Sequence, residues 1–579
     1  MSSPSEIRDG MVVEWDVGIP MDDGVVLRAD VFRPLGDSRV PVVMTHGPYA
    51  KGLAWQDGYP TVWESHSTEH PEAIAGSSNL YQNWETLDPE KWVPDGYACV
   101  RVDSRGAGRS PGRLDVWSPR ETRDFYDCIE WAASQPWCNG KVGLSGISYY
   151  AMNQWQVAAL QPSHLAAICV WEGAADWYRD VTHHGGIFTT FTQDWFETQV
   201  RSVQHGLGER GRRSRVTGEL VCGPETLGEE ELARNIADFG GDSLAHPFDD
   251  DHWKARTPDP AKITVPLLSA ANWGGNGLHH RGNFEGFLAA ASEEKWLEAH
   301  GLQHWTHYYT PYGQDLQKRF FGHFLKGEET GWGDQPPVLL QIRHIDNTFV
   351  QRAEREWPLA RTSWTRYFLD AQDLRLTESK PTSSGNVTYT GSGAGVTFLT
   401  RPFESDTEIT GPLAAKLVVS SETEDADLFL VVRVFAPDLA EVTFPGNIDP
   451  HTPVAQGWLR ASHRKLDPDR TLPHRPYHTH DTRELLRPGE PVELDIEIWP
   501  TCVVVPAGYR LGLSVRGTDY VYPGEPVRLS NVKRPLTGCG PYNHDEPRDR
   551  PGDVFGGDVT LHLDGDRPSY LLVPIITPE

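Results

Sequence analysis

The run Gly143-Leu144-Ser145-Gly146-Ile147-Ser148-Tyr149-Tyr150 restricts the possible folds of this chain more than any other stretch. An apolar strand, Val142 to Leu144, enters a tight turn with Ser148 at its tip, and Met152 to Leu160 reads as the helix that follows. Such a bend lifts a hydroxyl clear of its own backbone above a sheet and turns nearby N–H groups towards whatever the hydroxyl meets. The usual G-x-S-x-G pattern is broken at Tyr150. Serine and glycine also share turns for structural reasons alone, so the surroundings must decide.

The surroundings alternate. Met11 to Pro34 reads as two strands around Asp22-Asp23-Gly24, and Pro41 to Thr45 as a buried strand ending at His46-Gly47-Pro48-Tyr49. Residues 52 to 86 have little periodicity and read as a long surface excursion near the site. Tyr97 to Val102 is the next strand, and Phe125, Cys128, Ile129 and Ala132 mark a helical face. Ala166 to Val170 ends at Trp171-Glu172-Gly173, Ile263 to Ala270 returns to strand character, and Trp296 to Gln303 carries the last strand of this half. Asp315 to Leu325 is an amphipathic closing helix. Strand and helix alternating at this spacing predict an α/β domain with a mostly parallel sheet over 11–175 and 256–330. Between them, 176–255 reads as an inserted helical cap. After Gly331-Trp332-Gly333 the segments become short and β-rich, Val338 to Ile342 among them. They predict an all-β jelly-roll sandwich over 335–579, with 384 to 394 a loop or flexible edge.

Composition narrows the function classes. At 579 residues the chain holds several cores, and 21 Trp, 19 Tyr and 20 Phe suit aromatic-lined clefts. A net charge of −28 argues against a nucleic-acid partner. The polar N-terminus and the lack of an 18-residue apolar run argue against a membrane and for a cytoplasmic protein. Seven cysteines without a C-x-x-C pair read as small buried hydrophobes. The histidines lack metal-ligand spacing, so no metal or cofactor is expected. The partner expected is a small-molecule substrate, and self-association into a homo-oligomer is compatible with everything above.

Several segments in order resemble the CocE/NonD hydrolase family, which includes cocaine esterase, α-amino acid ester hydrolases and X-Pro dipeptidyl-peptidases. They are Pro48-Tyr49, then Asp103-Ser104-Arg105-Gly106-Ala107-Gly108-Arg109-Ser110, then Trp137 to Gly143 with Gly146-Ile147-Ser148-Tyr149, and finally His304-Trp305-Thr306-His307. The resemblance covers most of the chain. It implies an α/β-hydrolase sheet with a cap and a C-terminal jelly-roll, and cleavage of an ester or amide through an acyl-enzyme.

Ser148 is the expected nucleophile. The Tyr149 N–H, from the residue after it, is the expected first oxyanion donor. The family likeness makes the Tyr49 hydroxyl the second, and its pattern of a histidine after W-x selects His307 as base over His304. In the aspartate position of the family's W-x-D stands Gly275, which has no side chain to orient an imidazole. Glu172 is the preferred replacement. It stands just past the neighbouring strand, and strands of such a sheet deliver side chains to one rim. Asn276, Glu285 or no acid at all are the alternatives. Asp103 and Arg105 read as structural. Trp171, Trp177, Tyr178, Phe188, Phe191 and Trp195 suggest an apolar or aromatic acyl pocket. Asp176 and Asp180 keep open a second reading, in which the substrate carries a free amine as X-Pro peptides and amino-acid esters do. An acyltransferase, or a binding module on a dead hydrolase fold, are the other readings.

Overall fold

The computed structural model describes residues 5–382 and 384–577; Met1 to Pro4, Ser383, Pro578 and Glu579 lie outside it. The first half is built on a mixed sheet of eleven strands: β1 (Ser5–Arg8), β2 (Met11–Pro20), β3 (Val26–Pro34), β4 (Val40–Gly47), β5 (Ala98–Asp103), β6 (Cys138–Ile147), β7 (Leu165–Trp171), β8 (Leu267–Asn272), β9 (Lys295–His300), β10 (Val338–Arg343) and β11 (Phe349–Glu354). Their order is β1-β2-β3-β5-β4-β6-β7-β8-β9-β10-β11. From β5 to β10 neighbours run parallel, and the margins are antiparallel. The central strands read as continuous apolar runs because helices cover both of their faces.

Helix α1 (Pro119–Ala133) starts where the Ser118 hydroxyl accepts the Glu121 N–H, with proline at its first position. Its buried Phe125, Cys128, Ile129 and Ala132 follow the spacing i, i+3, i+4, i+7 and lie against the sheet, each stabilising by roughly 1–3 kcal/mol. Helix α2 (Tyr149–Ala158) is buried along its whole length, which fixes the serine turn before it.

Two expectations change here. Val338 to Ile342 reads from sequence as part of the β domain, yet β10 pairs parallel with β9 and β11 follows it, so the hydrolase sheet extends to Glu354. A short apolar strand carries no mark of which sheet it joins; pairing decides. The excursion at 52 to 86 folds into short helices, Trp55–Gly58, Pro60–Glu69 and Pro71–Ile74, and buries Trp55, Tyr59 and Trp84. It is therefore packed interior at its two ends rather than surface.

The insertion at 176–255 is helical in short pieces, such as Phe191–Trp195, Glu229–Arg234 and Phe239–Ala245. The rest of the chain forms a β domain. Strand Thr407–Ser421 pairs with both Val492–Val505 and Tyr570–Ile576, and the intervening pairings bring the sheet round on itself. Closure removes most open edges, which otherwise invite aggregation. Gly385–Thr390, read from sequence as a loop or edge, is a marginal strand paired with Asp558–Leu563. Among the described residues no helix is long and apolar enough to cross a membrane.

Candidate active site

Ser148 has φ 58° and ψ −114°, a conformation costing a non-glycine residue roughly 1–3 kcal/mol. The surroundings hold it there. Its N–H points at the carbonyls of Trp171 and Glu172, each 3.2 Å away, and its own carbonyl accepts from Ala151 and Met152 in the first turn of α2. The departure from G-x-S-x-G has a counterpart elsewhere. The Tyr150 ring occupies space left by Gly47, where a Cβ would lie 2.7 Å from Tyr150 Cε1. Gly146 is equally tight, with a Cβ there 2.4 Å from the Tyr150 Cβ. The glycine missing after the serine is thus balanced by one at the end of β4.

Tyr49 follows β4 and is buried, its ring 5.6 Å from Tyr150 and 5.8 Å from Tyr149. Trp195, from the insertion, donates its indole N–H to the Tyr49 oxygen at 3.0 Å. That occupies a lone pair and leaves the phenol proton free to donate elsewhere. Tyr149 opens α2, so its N–H has no carbonyl one turn back to bond. Its hydroxyl is tied to Glu121 at 2.5 Å, away from any substrate role.

Glu172 stands directly after β7 with φ 52° and is fully buried. Its Oε2 accepts from His304 Nδ1 at 2.9 Å; its Oε1 accepts from His300 Nε2 and Asn272 Nδ2, both at 3.1 Å. Burial alone would raise this carboxyl's pKa. The two imidazoles outweigh burial and hold it well below the usual carboxylate range. His300 in turn meets Glu298 at 2.6 Å through Nδ1. The other nitrogen of His304, Nε2, meets Glu85 Oε1 at 2.8 Å. A buried chain of alternating charge results: Glu298, His300, Glu172, His304, Glu85.

This geometry departs from the sequence expectation at the base. Neither ring nitrogen of His307 has a hydrogen-bond partner among the described residues. The His307 ring packs 5.4 Å from both His300 and Tyr312, beneath the helix Pro311–Phe321. Burial, with His300 adding to it, lowers its pKa to about 3. His304 is the histidine that Glu172 holds. Its place is set by its own N–H, which donates to the Asn447 carbonyl of the β domain at 2.8 Å, and by stacking on His279 at 5.2 Å. The alternative acids are elsewhere: Asn276 turns back to the Trp273 carbonyl, and Glu285 pairs with Arg475 at 2.7 Å.

Sequence reading missed Glu85, His300 and Asn272. Asn272 and His300 each close a strand of the parallel sheet, which is the signal that had identified Glu172. Glu85 sat in a stretch with no pattern at all. Of the aromatics, Trp171, Trp177, Tyr178 and Phe188 are wholly buried core. Phe191 and Trp195 do approach the site, Phe191 packing 5.2 Å from Tyr542 of the β domain. Asp176 and Asp180 are already neutralised, by Arg179 at 2.9 Å and Arg281 at 2.8 Å. Asp103 and Arg105 are structural: Asp103 accepts the N–H groups of Lys51 and Arg109, and Arg105 binds Asp124 and Asp23. Ser148 is half-buried, and a cavity of about 750 Å³ lined by Trp15, Lys51, Tyr81 and Asn83 among others includes none of Ser148, His304 and Glu172. Among the described residues no group of three or more His, Cys, Asp or Glu is placed to hold a metal ion.

A CocE/NonD family hydrolase from Staphylococcus aureus superposes with a TM-score of 0.84 and 34% identity, over 98% of this chain and 94% of the other. The chain belongs to the CocE/NonD hydrolases. Residues 23–309 match the X-Pro dipeptidyl-peptidase (S15 family) model, and residues 330–572 the X-Pro dipeptidyl-peptidase C-terminal non-catalytic domain. The cocaine esterase of a Rhodococcus species is 23% identical over 642 residues, 97% of this chain and 98% of that one. An α-amino acid ester hydrolase shares the fold, with a TM-score of 0.66 and 16% identity over 99% of this chain and 98% of that one. This CocE/NonD protein is a serine hydrolase with the family's two halves.

Proposed function

We propose that this hydrolase cleaves small carboxylic esters or amides with an apolar or aromatic acyl group, through an acyl-enzyme on Ser148. His304 is the general base and Glu172 its orienting acid; the Tyr49 hydroxyl and Tyr149 N–H stabilise the oxyanion. The observation that carries this reading is the Glu172 carboxylate on His304 Nδ1, with the Glu172 carbonyl on the Ser148 N–H. In sequence the order is nucleophile, acid, base. Ser148 attacks the carbonyl carbon, its proton passes to His304 Nε2, and the same proton goes to the leaving oxygen or nitrogen. Water then repeats the cycle on the acyl-enzyme. Phe191, Trp195 and Tyr542 supply apolar surface beside Tyr49.

The second reading, a substrate with a free amine, is favoured by the X-Pro family models. The arginine pairing of Asp176 and Asp180 counts against it, because neither carboxylate is free to receive an ammonium group. Seven unpaired, buried cysteines support a reducing, cytoplasmic location. The test is a panel of p-nitrophenyl acyl esters set against X-Pro anilides, with fluorophosphonate labelling of the wild type and of Ser148→Ala. Aryl-acyl esters cleaved faster than X-Pro anilides, with labelling lost in Ser148→Ala, is the expected result. X-Pro anilides cleaved faster would select the second reading.

A further inference from the structure

His304 Nε2 is the nitrogen that must accept the serine proton, and it faces Glu85 Oε1 at 2.8 Å. An ionised carboxylate only accepts hydrogen bonds, so a ring nitrogen facing one carries a proton. With Glu172 on Nδ1 and Glu85 on Nε2, His304 is held as a doubly protonated ring that has no lone pair for Ser148. Glu85 is tied to the nucleophile as well: its backbone carbonyl accepts the Ile147 N–H at 3.1 Å, one residue before the serine. Glu85 is only 3% exposed, its φ is 62°, and its second oxygen, Oε2, is buried with no hydrogen-bond partner among the described residues. A carboxylate with one oxygen unsatisfied and a strained backbone is poised to move.

We propose that Glu85 is a latch on the catalytic base, holding His304 in a resting, protonated state that must be released before Ser148 can attack. This rests on the reading of Ser148 and His304 as nucleophile and base. Release is a proton transfer to solvent by way of Glu85: the Nε2–H bond breaks, water takes up the proton, and the ionised carboxylate swings away. The Nε2 lone pair is then free for the Ser148 proton. The groups facing this pair are consistent with such a transfer. Glu172 and His279 lie against His304, and His300 and Glu298 continue the chain behind Glu172. Burial and the nearby Glu172 raise the Glu85 carboxyl to about 7 against the pull of His304, while Glu172 and Glu85 outweigh burial and raise His304 to about 10, so the proton rests on His304 and is lost only as pH climbs above neutrality. The phenols of Tyr49, Tyr59, Tyr150, Tyr309 and Tyr542 stay neutral over that range, since burial raises each of them.

The test is the pH dependence of fluorophosphonate labelling in the wild type and Glu85→Gln. The wild type should show an ascending limb above neutrality. Glu85→Gln should move that limb down by at least about one pH unit and label about tenfold faster at pH 7. An unchanged limb, or uniformly slower labelling with the same limb, overturns the latch. Should Glu85→Gln fail to fold, imidazole nitrogen NMR of the wild type, with His304 assigned by His304→Ala, reads the same state. A doubly protonated His304 at pH 8 supports the latch and a neutral ring sinks it. Wild type that never labels, or Ser148→Ala that still labels, defeats the nucleophile reading instead, and the NMR result still decides the protonation of His304.

Discussion

The main-chain oxygen of Glu172 lies 3.2 Å from the amide nitrogen of Ser148, while its carboxylate holds His304. One residue therefore fixes the serine's backbone and the histidine's ring together. A strand end beside β6 can do both because parallel neighbours end on the same rim.

Replacing Glu172 with Gln should lower kcat/KM by about a thousandfold or more, since an amide leaves the Nδ1 side of the imidazole without its anionic partner. It also strips the carboxylate from two buried imidazoles at once, so stability should fall by roughly 3–5 kcal/mol. Ester kinetics beside urea unfolding separate the two effects. A variant with normal kcat/KM would remove Glu172 from the mechanism.

The two histidines make a paired comparison. His304→Ala should lose at least about a thousandfold in ester hydrolysis, whereas His307→Ala should stay within about tenfold of the wild type. Its ring fills space under the helix Pro311–Phe321, so the penalty there is chiefly a lower Tm. Rates in the opposite order would restore His307 as base.

Tyr49→Phe removes the hydroxyl and keeps the ring. The expected loss is about a hundredfold in kcat, or roughly 3 kcal/mol in the barrier, with KM little changed. Steady-state kinetics on one activated ester is enough to see it. An unchanged kcat would move the second oxyanion donor elsewhere.

His300 gives a pH signature of stability. Burial would lower its pKa, but Glu298 and Glu172 outweigh burial and raise it to about 9. A histidine raised on folding stabilises fully below its unfolded value, about 6.5, and that contribution fades as pH climbs through 9. The unfolding free-energy gap between wild type and His300→Gln should therefore be widest near pH 6 and shrink towards pH 9. A gap growing with pH would mean that His300 is neutral when folded.

Gly47→Ala should cost roughly 1–3 kcal/mol, because its methyl group meets the Tyr150 ring edge. Tyr150→Leu in the same chain should recover part of that loss, the sign of direct coupling. Strictly additive effects would show that the two sites do not meet.

The strands and the serine bend were legible because they rest on local patterns: apolar runs, glycine-lined turns and a 3.6-residue face on α1. The carboxylate at 172 was also legible, as a strand-end side chain. The histidine was not. In this sequence W-x-H points to residue 307, and only the three-dimensional path of the loop after β9 brings residue 304 to Glu172 instead. The two departures belong together: Gly275 offers no side chain in the aspartate position, and the carboxylate of Glu172, from a different strand end, meets His304 rather than His307. Glu85 had no sequence signature, since its role depends on contacts more than 200 residues apart in the chain. The sheet boundary at Glu354 was hidden because pairing with Lys295–His300, and no local pattern, places Val338–Arg343 in the first sheet.

The amide of His304 is pinned to Asn447, and the Asn447 N–H returns to Gly274, so the all-β half reaches across to the loop that positions the imidazole. A shortened chain ending near residue 354 would keep every strand of the first sheet yet lose the clamp on the His304 backbone. Grafting the β half of a distant relative onto this front half would meet the same obstacle unless the clamp were transplanted too.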